Sequence, residues 1–175
     1  MDARPHVIGI LLQADRVVKA LTYIERVGAI NINGAQMIGR PGVAKAVFSI
    51  LADHEVNVMM ISQGSSEANI SLIVDENHLQ TAVVALGDLT KQGIVREVTH
   101  NHDVSAVAVV GAGMAGAPGT SGRIFTALGA AGVNVMMISQ GSSEANISFV
   151  VSQNDGPRAC RVLHDEFRLS EESDE

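Results

Sequence analysis

Tryptophan is absent from this chain, aromatic residues make up only 3% of it, and cysteine occurs once, at Cys160. A core must therefore be assembled from Val, Ile, Leu, Met and Ala. A single thiol excludes an intramolecular disulfide framework and a cysteine metal cluster, and it fits a reduced, cytoplasmic compartment. Positive charge is also scarce: 12 Lys and Arg stand against 19 Asp and Glu, for a net charge of −7 and a pI near 5.3. With no run of Lys or Arg, the chain is unsuited to a phosphate backbone, and no nucleic acid partner is expected. No apolar stretch approaches the roughly 18 residues that cross a bilayer. The start, "MDARPHVIGILLQADRV", has Asp2 and a short apolar run broken by Gln13. It lacks the basic start and long apolar run of a signal peptide. The expectation is a soluble protein without a membrane partner.

What the chain does have is repetition. "VNVMMISQGSSEANIS" occurs at Val56–Ser71 and, unchanged, at Val133–Ser148, a spacing of 77 residues. At the same spacing Gly34 pairs with Gly111, Met37 with Met114, Gly39 with Gly116, Pro41-Gly42 with Pro118-Gly119, Phe48 with Phe125 and Leu51 with Leu128. A tandem duplication makes each repeat one structural unit. A unit of half this length buries only a marginal core, so two of them should share an interface or find one in another chain.

Each repeat reads alike. A β-rich run (29–33; 104–110) leads to a Gly/Pro loop, "GAQMIGRPG" or "GAGMAGAPG". A helix follows from Val43 to about His54, with Val43, Val47, Ile50 and Leu51 on one face and Pro41 suiting its start. Strands are expected at 56–63 and 67–74, joined by a turn at 64–66. In the second of these Ala68, Ile70, Leu72 and Val74 face the helices, and the opposite face should be more polar. A second helix at about 77–91 and a strand at 94–98 complete a βαββαβ order. The fold class is α+β: two ferredoxin-like units in tandem, antiparallel sheets with helices on one face.

The second repeat has a second helix at about 157–167, but its fourth strand would fall in "SEESDE", which is too charged for one. The N-terminus holds an unassigned strand-and-helix piece, "HVIGILL" then "ADRVVKALTYIERVG". His6–Leu12 is expected to supply the missing strand. The domains are then 29–99, and a discontinuous one of 6–28 plus 100–169, with 170–175 an acidic tail.

No catalytic, metal or cofactor site emerges. "VAVVGAGMAG" matches G-x-G-x-x-G through Gly111, Gly113 and Gly116, but Pro118-Gly119 delays the helix, no acidic residue ends the next strand, and Gln36 replaces the middle glycine in the other copy. "HNHD" at 100–103 reads as a solvated linker without partner ligands at metal spacing. Cys160 reads as a structural thiol. Serines lack a base at a nucleophile's spacing. Met59, Met60, Met136 and Met137 read as core or interface filling.

The segments "INGAQMIGRPGVAKAVFSILADHEVNVMMISQGSSEANIS" and "VVGAGMAGAPGTSGRIFTALGAAGVNVMMISQGSSEANISFVV", with the closing "VLHDEF", resemble the regulatory ACT domains of aspartate kinases. The likeness runs from about 29 to 169 and leaves no segment for the kinase domain. It implies a non-catalytic module that binds a feedback amino acid at interfaces between ACT domains and controls an aspartate kinase catalytic domain or subunit allosterically. Carried over by motif position, the effector site comprises Met37, Gly39, Pro41, Gly42, Asn57, Val58, Gln63, Ser66 and Glu67, and in the second repeat Met114, Gly119, Asn134, Val135 and Gln140. Helix N-terminal amides suit a carboxylate, and glycines allow close approach.

Lysine-sensing relatives often carry an acidic residue where Met59 and Met136 stand. Some threonine-and-lysine-sensing relatives have Asp where Gly39 and Gly116 stand. Threonine-responsive relatives keep the glutamine present here as Gln63 and Gln140, so threonine is expected over lysine. Open sheet edges imply a homodimer. The contrasting expectation is a structural assembly subunit with vestigial pockets.

Overall fold

The computed structural model describes residues 17–169, so the expected strand at His6–Leu12 and the acidic tail 170–175 lie outside the described residues. The chain folds as two compact units, Arg26–His102 and the remainder, which runs up to Glu25 and resumes at Asp103. The sequence placed these boundaries about three residues away, at 28/29 and 99/100.

In the unit Arg26–His102, the second half of strand β1 (Ala20–Asn33) pairs antiparallel with β3 (Asn69–Asp75), which pairs in turn with β2 (Val58–Gln63). Arg96 N donates to Asn33 O at 2.8 Å, setting residues 94–96 along the other side of β1. Helix α1 (Val43–Asp53) buries Val43, Val47 and Leu51, a spacing that returns to one face every fourth residue. Helix α2 (Glu76–Lys91) buries Leu79, Ala82, Leu86 and Leu89, and its start is capped by the Asp75 carboxylate, which accepts from Asn77 N at 2.8 Å. These faces close on Ile30, Ile32, Ile70, Leu72, Val74 and Val95, an entirely aliphatic core completed by Met37.

The other unit repeats the plan. The second half of β4 (Glu97–Val110) pairs with β6 (Asn146–Ser152), and β6 pairs with β5 (Met137–Gln140). Helices α3 (Thr120–Ala130) and α4 (Gly156–Glu166) cover a core of Val107, Val109, Ile124, Leu128, Phe149, Val151, Leu163 and Phe167. The edge that the sequence left vacant is lined by Val17–Lys19: Lys19 N donates to Val110 O at 2.8 Å, and Val18 is fully buried in this core. Val17–Lys19 thus has the role of Ile94–Arg96, once more 77 residues apart.

Three expectations need correction. Residues 20–28 were expected in a helix but are strand, in keeping with the β-branched and aromatic residues Thr22, Tyr23, Ile24 and Val27. His100–Asp103 still joins the two units, whose boundary falls at His102/Asp103, but it does so as part of the continuous strand β4 and not as a loop. Ile73, on the face expected to be more polar, is fully buried, opposite Ala29 and Met60 in register.

The duplication has exchanged one packing solution for another. A Cβ on Gly28 would lie 2.6 Å from Leu79. The equivalents of Gly28 and Leu79 are Ser105 and Gly156, and there Tyr23, the equivalent of His100, fills the space: a Cβ on Gly156 would lie 2.6 Å from the Tyr23 ring. Tyr23 also hydrogen-bonds the Ser105 side chain, and burial holds its phenol above the ordinary value despite that bond. Gly156→Leu should therefore overpack the unit and destabilise it by about 2–3 kcal/mol. Adding Tyr23→His should recover more than half of the loss. Urea denaturation of the two variants checks this, and a Gly156→Leu chain as stable as wild type contradicts it.

Candidate functional site

Helices α1 and α3 begin differently from α2. Each follows a short 3-10 turn (Ala35–Met37; Ala112–Met114) and a glycine in the left-handed region, Gly42 at φ 92 and Gly119 at φ 86. Neither glycine caps its helix with a side chain, and the first helical residues, Val43 and Ala44 or Thr120 and Ser121, border an open space. Above that space stands the hairpin that carries the identical repeat.

The result is a cavity in each unit. The first, of about 460 Å³, is lined by Met37, Gly39, Arg40, Pro41, Gly42, Val43, Ala44, Gln63, Glu67 and Ile70. The second, of about 390 Å³, is lined by Met114, Gly116, Ala117, Pro118, Thr120, Ser121, Gln140, Glu144 and Ile147. Their floors are the buried Met37 and Ile70, or Met114 and Ile147, and most polar lining residues are exposed. In the first, Gly39 N donates to Glu67 Oε2 at 2.8 Å; in the second, Gly116 N donates to Glu144 Oε2, also at 2.8 Å.

Of the residues expected in the site, Met37, Gly39, Pro41, Gly42, Gln63 and Glu67 meet in the first cavity, and Met114 and Gln140 in the second. Gly119 caps α3 between Pro118 and Thr120 but does not line the second cavity. Ser66 is exposed in the hairpin turn, where its Oγ accepts from Ala68 N at 3.5 Å. Asn57 and Asn134 are exposed ahead of their strands, and Val58 and Val135 pack against their own units' cores. A bulge in β2 decides which residues share a face with Gln63. Val58 pairs with Val74 but Met60 with Ile73, so Val58, Ile61 and Gln63 lie on one face, with the alternation broken between them.

Sequence reasoning missed Arg40, Val43, Ala44 and Ile70 in the first cavity. In the second it missed Gly116, Ala117, Pro118, Thr120, Ser121, Glu144 and Ile147. Gly116 and Glu144 were within reach, since they lie 77 residues beyond Gly39 and Glu67. The cavities differ at Arg40, which gives the first a cation where the second has Ala117, and at Val43 and Ala44, which become Thr120 and Ser121. The Thr120 hydroxyl is engaged locally, donating to Ala117 O at 3.2 Å. Among the described residues no group of His, Cys, Asp and Glu could hold a metal ion, and no helix is long and apolar enough to cross a membrane.

The ACT-domain family model matches residues 30–88 and 107–167, one match in each repeat. The chain therefore belongs to the ACT-domain family. It is 39% identical over 163 residues to a chloroplastic bifunctional aspartokinase/homoserine dehydrogenase of Daucus carota, covering 91% of this chain and 18% of that protein. The chain thus spans less than a fifth of the length of such curated relatives. The regulatory subunit of aspartate kinase from Thermus thermophilus, in its ligand-free form, is 27% identical with a TM-score of 0.76, over 86% of this chain and 99% of that one. Aspartate kinase from Synechocystis is 29% identical with a TM-score of 0.79, over 90% of this chain and 28% of that one. What the chain matches is the regulatory part of aspartate kinase, not its catalytic domain.

A third cavity, of about 370 Å³, lies between β1 and α4 and is lined by Leu21, Tyr23, Cys160, Arg161, His164, Asp165 and Leu169. Burial pushes the Cys160 thiol up to about 11, against the opposing pull of Arg161. The thiol is therefore neutral and unreactive near pH 7 to 8. An unfolded thiol ionises from the ordinary value of 9.0, so the protonated thiol's contribution to stability is complete below pH 9 and is lost as pH rises towards 11. Native chain at pH 8 should react with iodoacetamide at least tenfold more slowly than urea-unfolded chain. Equal rates would show an accessible thiolate instead.

Proposed function

We propose that the two cavities bind a feedback amino acid, threonine in preference to lysine, and that the bound state controls aspartate kinase activity. The observation that carries this reading is that, in both units, the Gly/Pro loop and helix start line one cavity with a glutamine from the hairpin, Gln63 or Gln140. Backbone amides at a helix N-terminus stabilise a carboxylate. A side-chain amide both donates and accepts, which suits a hydroxyl or an ammonium. The aliphatic floor, Met37 with Ile70 or Met114 with Ile147, suits a short side chain with one methyl, and Met59 and Met136 add no anion for a lysine ammonium beyond Glu67 and Glu144, which the loop amides already engage.

The cavities are bounded by one unit each, and their polar groups are largely exposed. A second copy of the chain supplies the further wall in this reading, with Asn57, Val58, Ser66, Gly119, Asn134 and Val135 as the residues that meet the effector or its surroundings from the facing domain. A homodimer follows, and exposed apolar side chains on the hairpin strands, Met59, Ile61, Met136 and Ile138, are available to be covered by it. An effector that binds one packing of the domains better than another shifts the population, and an attached or associated kinase catalytic domain reads that shift.

Calorimetric titration of the chain with threonine, lysine, methionine and isoleucine tests the reading. Threonine should bind more tightly than lysine, and Gln63→Ala with Gln140→Ala should weaken threonine binding at least tenfold while oligomers persist. Equal binding by the Gln variants, or no heat from any of the four, contradicts it.

A further inference from the structure

The glutamates that end the hairpin turns hold an unusual position. Glu67 and Glu144 adopt left-handed backbone, φ 55 and φ 52, where glycine or asparagine is ordinarily found. Each closes its turn by donating its own amide, Glu67 N to Gly64 O and Glu144 N to Gly141 O, both at 3.0 Å. A turn alone would be served better by glycine at that place, so keeping glutamate twice calls for a role for its side chain. The structure shows one: the carboxylates accept from Gly39 N and Gly116 N across 28 residues, at 2.8 Å in each unit.

That contact occupies a loop amide that lines each cavity, four residues ahead of the helix start. Gly39 and Gly116 line the cavities beside the helix starts, as do the two glutamates. A single N–H does not serve two carboxylates at good geometry, and two anions in one cavity repel. We propose that Glu67 and Glu144 are resident carboxylates, each holding its loop amide until the carboxylate of an incoming amino acid displaces it into solvent. This rests on reading the cavities as amino-acid sites. The displaced side chains start from exposed positions, so nothing in their own units bars the movement. Two consequences follow. Effector affinity is set below what the loop alone would give, since the site-competent form is only part of the population. An analogue without a carboxylate gains nothing from the exchange.

The test uses the full chain and the variants Glu67→Gly and Glu144→Gly, which the left-handed backbone accommodates. Glu67→Gln and Glu144→Gln keep the side-chain length and serve as a second pair. Amide hydrogen exchange should quicken roughly tenfold at Gly39 in Glu67→Gly and at Gly116 in Glu144→Gly, each leaving the other glycine unchanged. Threonine should bind the altered site roughly three- to tenfold more tightly than in wild type, with smaller gains in the Gln variants. Threoninol, which lacks the carboxylate, should bind all chains equally. Unchanged exchange, or threonine binding that stays the same or weakens in the variants, overturns the proposal. If no amino acid binds wild type or variant, the reading of the cavities fails and displacement fails with it. Binding without tightening removes displacement alone.

Discussion

One hydrogen bond, from a loop glycine amide to a glutamate carboxylate, ties together the three parts of each unit that define its cavity. It joins the Gly/Pro loop, the start of the helix that follows, and the tip of the hairpin that carries the repeat, at 2.8 Å in both units. The geometry needs two departures from ordinary backbone. The loop must turn through left-handed glycines, Gly39 and Gly42 or Gly116 and Gly119, and the glutamate must itself sit at positive φ. An exposed bond of this kind contributes on the order of 1 kcal/mol, comparable to the cost of a left-handed glutamate. Local stability therefore gives little reason for the arrangement, whereas the proposed exchange of one carboxylate for another would.

The duplication separates what is constrained from what is free to compensate. The hairpin is identical in the two units, although its tip is exposed and most of it packs little core. Inside, by contrast, the units have solved the same packing problem differently, with Leu79 over Gly28 in one and Tyr23 against Gly156 beside Ser105 in the other. Cores tolerate such swaps when the total volume is kept. An exposed polar turn kept unchanged while the interior drifts supports the proposed binding role, in which the loop differences, Arg40 against Ala117 and Val43-Ala44 against Thr120-Ser121, would set any difference in preference.

Much of this was legible because the repeat period converts one reading into two. The helix of the first repeat was expected from Val43 to about His54 and runs Val43–Asp53; the second pair of helices likewise fell within a residue or so. Apolar spacing of about 3.6 over eleven or more residues leaves little room for another answer. The long strand Ala20–Asn33 was harder: charges at Glu25 and Arg26 amid Leu21, Tyr23, Ile24 and Val27 serve a helix pattern nearly as well as a strand. Two features had no sequence signal at all. The bulge between Val58 and Met60 changes which residues share a face with Gln63, and it depends on pairing with β3, not on the local residues. The glutamate–glycine bond spans 28 residues and is set by the meeting of two loops.

The proposed link to kinase control rests on two equivalent loops whose amides would receive an effector carboxylate, so the most direct measurement watches both loops at once. Amide resonances of Gly39 and Gly116 in the labelled full chain, followed while L-threonine is added, report on each separately. Both resonances are expected to move and saturate with threonine, and neither with threoninol. Movement elsewhere in the chain while both glycine amides stay fixed would contradict the site described here.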